Sequence, residues 1–241
     1  APAAEMASWS AENGVCLVTL APEMAGGIPL IQRLVEQGIV VSAGHSMATF
    51  DEAQEAFDAG LSYVTHLFNA MPPLHHREPG LAAAALANSS ITIGIIPDGV
   101  HVHPELVRLV WQLAGGRVNG VTDAMGAMGS SPGDYLLGEY PVTVTETDAR
   151  LQDGTLAGSI VQPMQVIKNL VKYTRCSVAE AVGSMTAIPA DLLGIEKQKG
   201  RLKVGLDADL IMFDEAFNLE KTIIQGSIVY DRKQLSAQRN F

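Results

Sequence analysis

The stretch that decides the fold is residues 40–80, which read VVSAGHSMATFDEAQEAFDAGLSYVTHLFNAMPPLHHREPG. It contains two short, apolar, strand-like runs that end at His45 and His66. Between them lies a helical spacing of apolar residues, with Thr49 placed to cap its start and Gly60 to end it. A strand–helix–strand unit with polar residues at both carboxyl strand ends is how parallel α/β proteins build sites.

The same alternation of strands and helices extends on both sides of this stretch. Short apolar runs that each end in Glu, His or Asp predict strands over residues 15–23, 39–45, 61–67, 91–99 and 118–124. Helical spacing lies between them over residues 28–37, 49–59, 82–89 and 104–116. Near-continuous apolar strands indicate a parallel sheet that is covered on both faces. The period is that of a (β/α)8 TIM-type barrel, of which about five units are visible.

The sequence changes character after residue 123. Alternating strands at YPVTVTE and ARLQDGT predict a hairpin-like excursion, and VQPMQVIKNLVKYT and SVAEAVGSMTAIPADLLG predict two further amphipathic helices. Short β segments separated by Gly and Asp turns follow. We therefore predict a partial barrel over residues 1–195 and a small β-sandwich segment over residues 196–241.

Composition argues against nucleic-acid and membrane partners. The 241 residues are 47% hydrophobic, and 16 cationic against 26 acidic side chains give a net charge of −10. This leaves no basic face for a nucleic-acid backbone, and no apolar run approaches the roughly 20 residues of a membrane helix. Cys16 and Cys176 lie far apart, and Cys16 falls in an apolar strand. We predict buried thiols, a reducing compartment and a cytoplasmic location.

The histidines point to a metal site. All six lie between His45 and His103. Because His45 and His66 end adjacent parallel strands, their imidazoles can point at one ion, and the carboxylate of Asp123, two strands further on, can reach the same centre. Taken singly, each has another explanation: a strand-end histidine can be a hydrogen-bonded core residue, and Asp123 can cap the next segment. Together, their order favours the metal interpretation.

Several short motifs resemble one family of enzymes. They are LAPE, SAGHS, THLFNAM, REPG, DGVH, VTDA, TLAGS and the closing GRLKVGLDADL. This set is similar to the amidohydrolase superfamily, and within it to the N-acetylglucosamine-6-phosphate deacetylase branch, in one register from about residue 15 to residue 230. THLFNAM followed by REPG is specific to that branch, whereas GRLKVGLDADL marks only the superfamily.

The resemblance implies roles at the reacting centre. His45 and His66 correspond to two ligands of a divalent metal ion, zinc or iron, which lowers the pKa of a water molecule. Asp123 corresponds to the general base that takes a proton from that water and returns it to the departing amine. Glu23 ends a strand, but LAPE is structural in the family.

The resemblance also implies substrate contacts. Asn69 and the backbone of Ala70 correspond to sugar or phosphate contacts, and Arg77 and His101 to phosphate ligands. In this family a phosphate contact can come from the neighbouring subunit of a homodimer, so Arg77 is not assigned to its own chain's site. The segment 156–159 could border the acetyl group.

Two features of the family pattern do not occur in this sequence. They are a metal-ligating glutamate from an HLEGP-type motif and a histidine just beyond it, both of which belong upstream of Ala1. The chain therefore resembles the carboxyl-terminal 60% or so of a deacetylase, from the fourth barrel strand to the eighth. Three origins stay open: a truncated gene, one piece of an enzyme whose amino-terminal segment is a separate chain, or a fragment that pairs with its own copy.

The implied reaction is hydrolysis of N-acetylglucosamine 6-phosphate to glucosamine 6-phosphate and acetate. One alternative is another amidohydrolase, of dihydroorotase-like or adenine-deaminase-like type. Asn69 and Arg77 argue against it, because such substrates need no phosphate contacts. The other is a catalytically impaired or non-catalytic fragment that binds a phosphosugar or a partner protein, which the missing glutamate favours.

Overall fold

A five-stranded parallel sheet forms the centre of the computed structural model, which describes residue 6 and residues 8–234. Its strands are β1 (Leu17–Leu20), β2 (Val40–Ala43), β3 (Tyr63–Val64), β4 (Thr92–Ile95) and β5 (Val118–Gly120). They lie side by side in chain order, and every neighbouring pair is parallel. The predicted α/β class with a parallel sheet is confirmed.

Helices connect the strands where the apolar spacing predicts them. They are α1 (Gly27–Glu36), α2 (Phe50–Asp58), α3 (Gly80–Ala87) and α4 (Pro104–Ala114). The side chain of Thr49 accepts a hydrogen bond from the backbone of Glu52, whose carboxylate accepts from Thr49 in return. This reciprocal cap fixes the start of α2.

A second, smaller sheet follows β5. It is antiparallel and consists of β6 (Gly133–Leu137), β7 (Tyr140–Val144) and β8 (Ala149–Leu151). The predicted hairpin accounts for β7 and β8, but β6 was not predicted. Four of the five β6 residues are exposed, so the strand shows no apolar alternation. Its partner β7 has a clearer alternating pattern in the sequence, because Val142 and Val144 pack into a separate small core.

Three helices and a third sheet complete the described chain. They are α5 (Pro163–Thr174), α6 (Val178–Met185), α7 (Ala187–Leu192) and the antiparallel strands β9 (Leu210–Phe213), β10 (Leu219–Ile224) and β11 (Ser227–Asp231). The single helix predicted for SVAEAVGSMTAIPADLLG is wrong, because the backbone leaves helical geometry at Thr186, with φ −132° and ψ −69°. Pro189 explains the break, since it cannot donate to the carbonyl of Met185 and its ring would collide with it.

The buried core lies between the parallel sheet and its helices. Val41, Ala43, Val64 and Ile93 are all fully buried. The prediction for Cys16 is wrong: it is exposed, because it precedes the edge strand β1, whose side chains alternate between exposed and half-buried. Within the described ranges, no helix has the length and apolar character needed to cross a membrane.

Candidate functional site

Three polar residues meet in one cavity at the carboxyl edge of the parallel sheet. His45 follows β2, His66 follows β3 and Asp123 follows β5, and all three line a cavity of about 430 Å³. Nε2 of His45 lies 3.0 Å from Nε2 of His66, and the two rings meet edge to face. The structure therefore brings together the three residues that the sequence assigned to a metal centre.

The backbone is strained at each of these three positions. The φ angles of His45, His66 and Asp123 are 51°, 29° and 46°. Residues other than glycine rarely adopt positive φ, and such strain clusters at functional sites. All three of these positions line the same cavity.

Close packing of the strand ends depends on the absence of a side chain at Gly44. A Cβ atom at this position would lie 2.4 Å from Cγ2 of Thr65 and 3.0 Å from Cγ2 of Thr19. The first distance is shorter than real contacts and the second is tighter than most of them, so a side chain at position 44 would displace Thr65 and crowd Thr19. His45 follows directly.

Burial sets the charge of His66. His66 is only 6% exposed. Burial lowers the pKa of His66 below its usual value, and the nearby His45 acts in the same direction, while Asp123 opposes them. His66 is therefore neutral at pH 7 and offers a ring nitrogen as a ligand.

The donor set fits a divalent transition metal. Two imidazole nitrogens that face each other, with a carboxylate in the same cavity, are ligands that zinc and iron accept. No cluster of three or more His, Cys, Asp or Glu side chains suited to a metal occurs among the described residues. The described residues therefore offer two histidines as candidate ligands, with Asp123 in the same cavity.

Glu23 holds the loop that follows His45. Its Oε1 accepts a hydrogen bond of 2.6 Å from the backbone N–H of Met47, and its Oε2 accepts one of 2.7 Å from Oγ of Ser46. Ser46 is fully buried. The sequence discounted Glu23 as a ligand, and both of its carboxylate oxygens are engaged by the loop. The sequence did not predict that Glu23 supports the loop that follows the candidate ligand His45.

The loop after His66 carries two predicted substrate contacts. Nδ2 of Asn69 donates to the carbonyls of His66, at 3.1 Å, and Leu67, at 3.3 Å. Ala70 is exposed, and Phe68 and Ala70 also have positive φ, at 77° and 52°. The Asn69 amide therefore shapes the loop, and neither Asn69 nor Ala70 lines the cavity of the two histidines.

Arg77 does not reach the histidine cavity. It is exposed and lines a different cavity, together with Met47 and His75, beside the start of α2. The structure leaves Arg77 apart from the other predicted site residues of its own chain.

His101 has both ring nitrogens engaged. Nδ1 lies 2.6 Å from Oδ2 of Asp98, and Nε2 lies 3.1 Å from the carbonyl of Ala157. Burial alone would lower the pKa of His101, but the bonds to Asp98 and Ala157 outweigh it and raise that pKa. Since both partners are acceptors, the ring donates twice as an imidazolium. A phosphate contact from Nε2 would have to replace the Ala157 carbonyl.

Comparison with known proteins identifies the family. The model of the amidohydrolase family matches residues 2–229, nearly the whole chain. The chain belongs to the amidohydrolase family. Members of this family generally use a divalent metal, which agrees with the donor set of the cavity.

Among curated proteins, this amidohydrolase is similar to two N-acetylglucosamine-6-phosphate deacetylases. It is 40% identical to that of Lysinibacillus sphaericus, over 91% of this chain and 57% of that protein. It is 36% identical to that of Mus musculus, over 95% of this chain and 58% of that protein. The chain thus spans less than two thirds of the length of these relatives.

Solved structures show the same likeness. The crystal structure of N-acetylglucosamine-6-phosphate deacetylase from Thermotoga maritima superposes with a TM-score of 0.89 at 36% identity, covering 96% of this chain and 63% of that one. A mutant of the Mycobacterium smegmatis deacetylase in complex with N-acetyl-D-glucosamine-6-phosphate superposes with a TM-score of 0.86 at 37% identity, covering 90% and 58%.

Proposed function

We propose that this chain acts in the hydrolysis of the N-acetyl group of N-acetylglucosamine 6-phosphate, which gives glucosamine 6-phosphate and acetate. The observation that carries the proposal is the meeting of His45, His66 and Asp123 in one cavity, each with strained backbone. The likeness to proteins named for this activity supports the choice of substrate, and one such protein is a complex with that phosphosugar.

His45 and His66 would hold a divalent metal ion, zinc or iron. Nε2 of each ring faces that of the other, and the lowered pKa of His66 favours its neutral form, in which one ring nitrogen can bind a metal. When bound, the ion would lower the pKa of a water molecule to near neutrality.

Asp123 would act as general base and then as general acid. Asp123 lines the same cavity as both histidines, which supports a role beside a water molecule bound there. It would accept a proton from that water and donate it to the amine nitrogen as the bond to the acetyl carbon breaks.

The phosphosugar would be bound by residues around the cavity. In this proposal Asn69, Ala70 and His101 contact the substrate of their own chain. Arg77 contacts the phosphate of a neighbouring subunit in a homodimer, which agrees with its exposure and its separate cavity. His101 would exchange its bond to Ala157 for one to the substrate.

The finer features of the fold and its setting belong to the same proposal. The parallel sheet and its helices would form strands 4 to 8 of a TIM-type barrel over residues 1–195, and residues 196–241 would form the β-sandwich segment. A cytoplasmic location stays a prediction from composition.

Acetate release tests the proposal. We expect the chain, supplied with zinc or ferrous iron, to release acetate from N-acetylglucosamine 6-phosphate, and much more slowly from N-acetylglucosamine, because only the first offers a phosphate to bind. Equal rates on both sugars would refute the proposed substrate.

Metal content tests the site itself. Elemental analysis of the purified protein should show bound zinc or iron that is lost in His45→Ala. The matched control is His76→Ala, at an exposed loop histidine whose ring lies against that of His75. Equal metal content in both variants would place the metal elsewhere.

A further inference from the structure

The segment 157–159 lies against the strand end that carries Asp123. The backbone N–H of Ser159 donates to the carbonyl of Asp123 at 2.8 Å, and the N–H of Met125 donates to the carbonyl of Ser159 at 2.9 Å. The two bonds form a short parallel bridge between Ala124 and Ser159. The backbone on both sides of the Asp123 side chain is thus tied to Ser159.

The hydroxyl of Ser159 fixes this segment in turn. It donates to the carbonyl of Thr122 and accepts from the N–H of Val161 at 3.2 Å. Ser159 is only 1% exposed, so water does not compete for these bonds. The buried hydroxyl of Ser159 therefore links Thr122, the residue before Asp123, to Val161, two residues beyond the bridge.

The residue before Ser159 must be small for this contact to form. A Cβ atom at Gly158 would lie 2.9 Å from the carbonyl oxygen of Asp123, a backbone atom that has little freedom to move. A side chain at position 158 would push the two segments apart.

We infer that Ser159, seated by Gly158, is a positioning residue for Asp123. It holds the Asp123 backbone at φ 46°, and this conformation directs the carboxylate into the cavity of His45 and His66. No side chain in the described ranges hydrogen-bonds to the Asp123 carboxylate, so its direction depends on the backbone. The inference rests on the proposed role of Asp123 as general base.

Amide hydrogen exchange tests the contact without any assay of activity. In the full chain, Ser159→Ala should speed exchange of the amides of residue 159 and Met125 about tenfold, because the hydroxyl no longer holds the bridge. Ser184→Ala is the matched control: Ser184 is fully buried, and its hydroxyl bonds to the Ala181 carbonyl within α6. Unchanged exchange in Ser159→Ala would overturn the inference.

Kinetics separate positioning from general stability. Ser159→Ala should lower kcat about tenfold and leave KM within about twofold, because a displaced base slows the chemistry more than it weakens binding. In an Asp123→Asn background the same change should cause no further loss, whereas Ser184→Ala should change neither constant. An equal loss in both backgrounds would overturn the inference and leave the proposed function standing.

Two further variants keep the test decisive. Gly158→Ala breaks the same contact and keeps the hydroxyl, so it should reproduce the fast exchange even if Ser159→Ala fails to fold. Ser159→Thr keeps a hydroxyl at position 159 and should exchange more slowly than Ser159→Ala. If the wild-type chain releases no acetate, the proposed function fails, and the exchange rates alone decide whether Ser159 fixes the Asp123 backbone.

Discussion

The carboxyl and amino edges of the parallel sheet use their polar residues in different ways. At the carboxyl edge, His45, His66 and Asp123 have strained backbone and point into a cavity. At the amino edge, the guanidinium of Arg117 donates to three backbone carbonyls, those of Ala85 (3.0 Å), Leu86 (2.7 Å) and Ile91 (2.7 Å). These bonds satisfy the end of α3 and the approach to β4. The carboxyl edge holds the candidate reactive groups at a cost in stability. At the amino edge, Arg117 supplies hydrogen-bond donors to backbone carbonyls.

The largest expected effect lies at the carboxyl edge. We predict that Asp123→Asn lowers kcat for acetate release about a thousandfold, because it removes the proposed base. The free energy of unfolding should change by less than about 0.5 kcal/mol, because no buried bond is lost. Steady-state kinetics and urea unfolding measure the two quantities. The control is Asp58→Asn on the exposed face of α2, where the carboxylate accepts a hydrogen bond from Gln54.

The amino edge should respond in the opposite way. Arg117→Met is expected to lower the free energy of unfolding by about 3 kcal/mol, because three carbonyls lose a charged donor. The rate of acetate release per folded molecule should stay unchanged. Arg108→Met, which removes an exposed ion pair with Glu105, is the control and should cost far less. A large loss of kcat in Arg117→Met would contradict the division between the two edges.

A substitution at Glu23 tests whether metal affinity depends on the hydrogen bonds that hold the loop after His45. We predict that Glu23→Ala weakens metal binding ten- to a hundredfold, because the loop after His45 loses both of its hydrogen bonds to the carboxylate. Titration with zinc measures the affinity. Glu36→Ala, at the exposed end of α1, should leave the affinity unchanged. Equal affinities in the two variants would show that His45 needs no such support.

The smallest effect concerns pH. His101 lies at the carboxyl edge, yet its contacts stabilise the fold, because its pKa is raised. A raised folded-state pKa contributes stability that is fully present below the unfolded value of about 6.5 and is lost as pH rises through the folded value. The difference in the free energy of unfolding between wild type and Asp98→Asn, measured by urea unfolding, should therefore show this decline from pH 6 to pH 9. The comparison cancels the contribution of His66, whose lowered pKa makes stability rise over the lower part of this range.

A control exists for that measurement. Oδ1 of Asp98 accepts from the N–H of Val100 at 2.8 Å, and Oδ1 of Asp153 accepts from the N–H of Thr155 at 2.9 Å. Asp153→Asn therefore disturbs the same kind of loop bond without a histidine, and it should leave the decline intact. A His101 ring that titrates below pH 6.5 by NMR would contradict the prediction.

Elements with local signals were predictable from the sequence. The Thr49–Glu52 cap of α2 and Pro104 at the start of α4 lie within one turn of the helix that they begin. The exposure of Cys16 was not predictable, because an apolar run does not tell an edge strand from a central one. The strand β6 also escaped prediction, since it has partners but almost no buried side chains.

At the candidate site, too, local sequence signals were readable and contacts between remote loops were not. The meeting of His45, His66 and Asp123 followed from the rule that parallel strands end at one edge. The bonds of Glu23 to Met47 and of His101 to Ala157 join loops that are remote in sequence, so no local pattern announces them. The structure was needed to find the residues that support the site.

The left-handed backbone at the three cavity residues sets the stability of the fold against its chemistry. Each position costs the fold about 1–2 kcal/mol relative to a residue with relaxed backbone. Glycine would relieve this backbone cost, but it would also remove a side chain that lines the cavity. Stability and chemistry therefore place opposite demands on the same three positions.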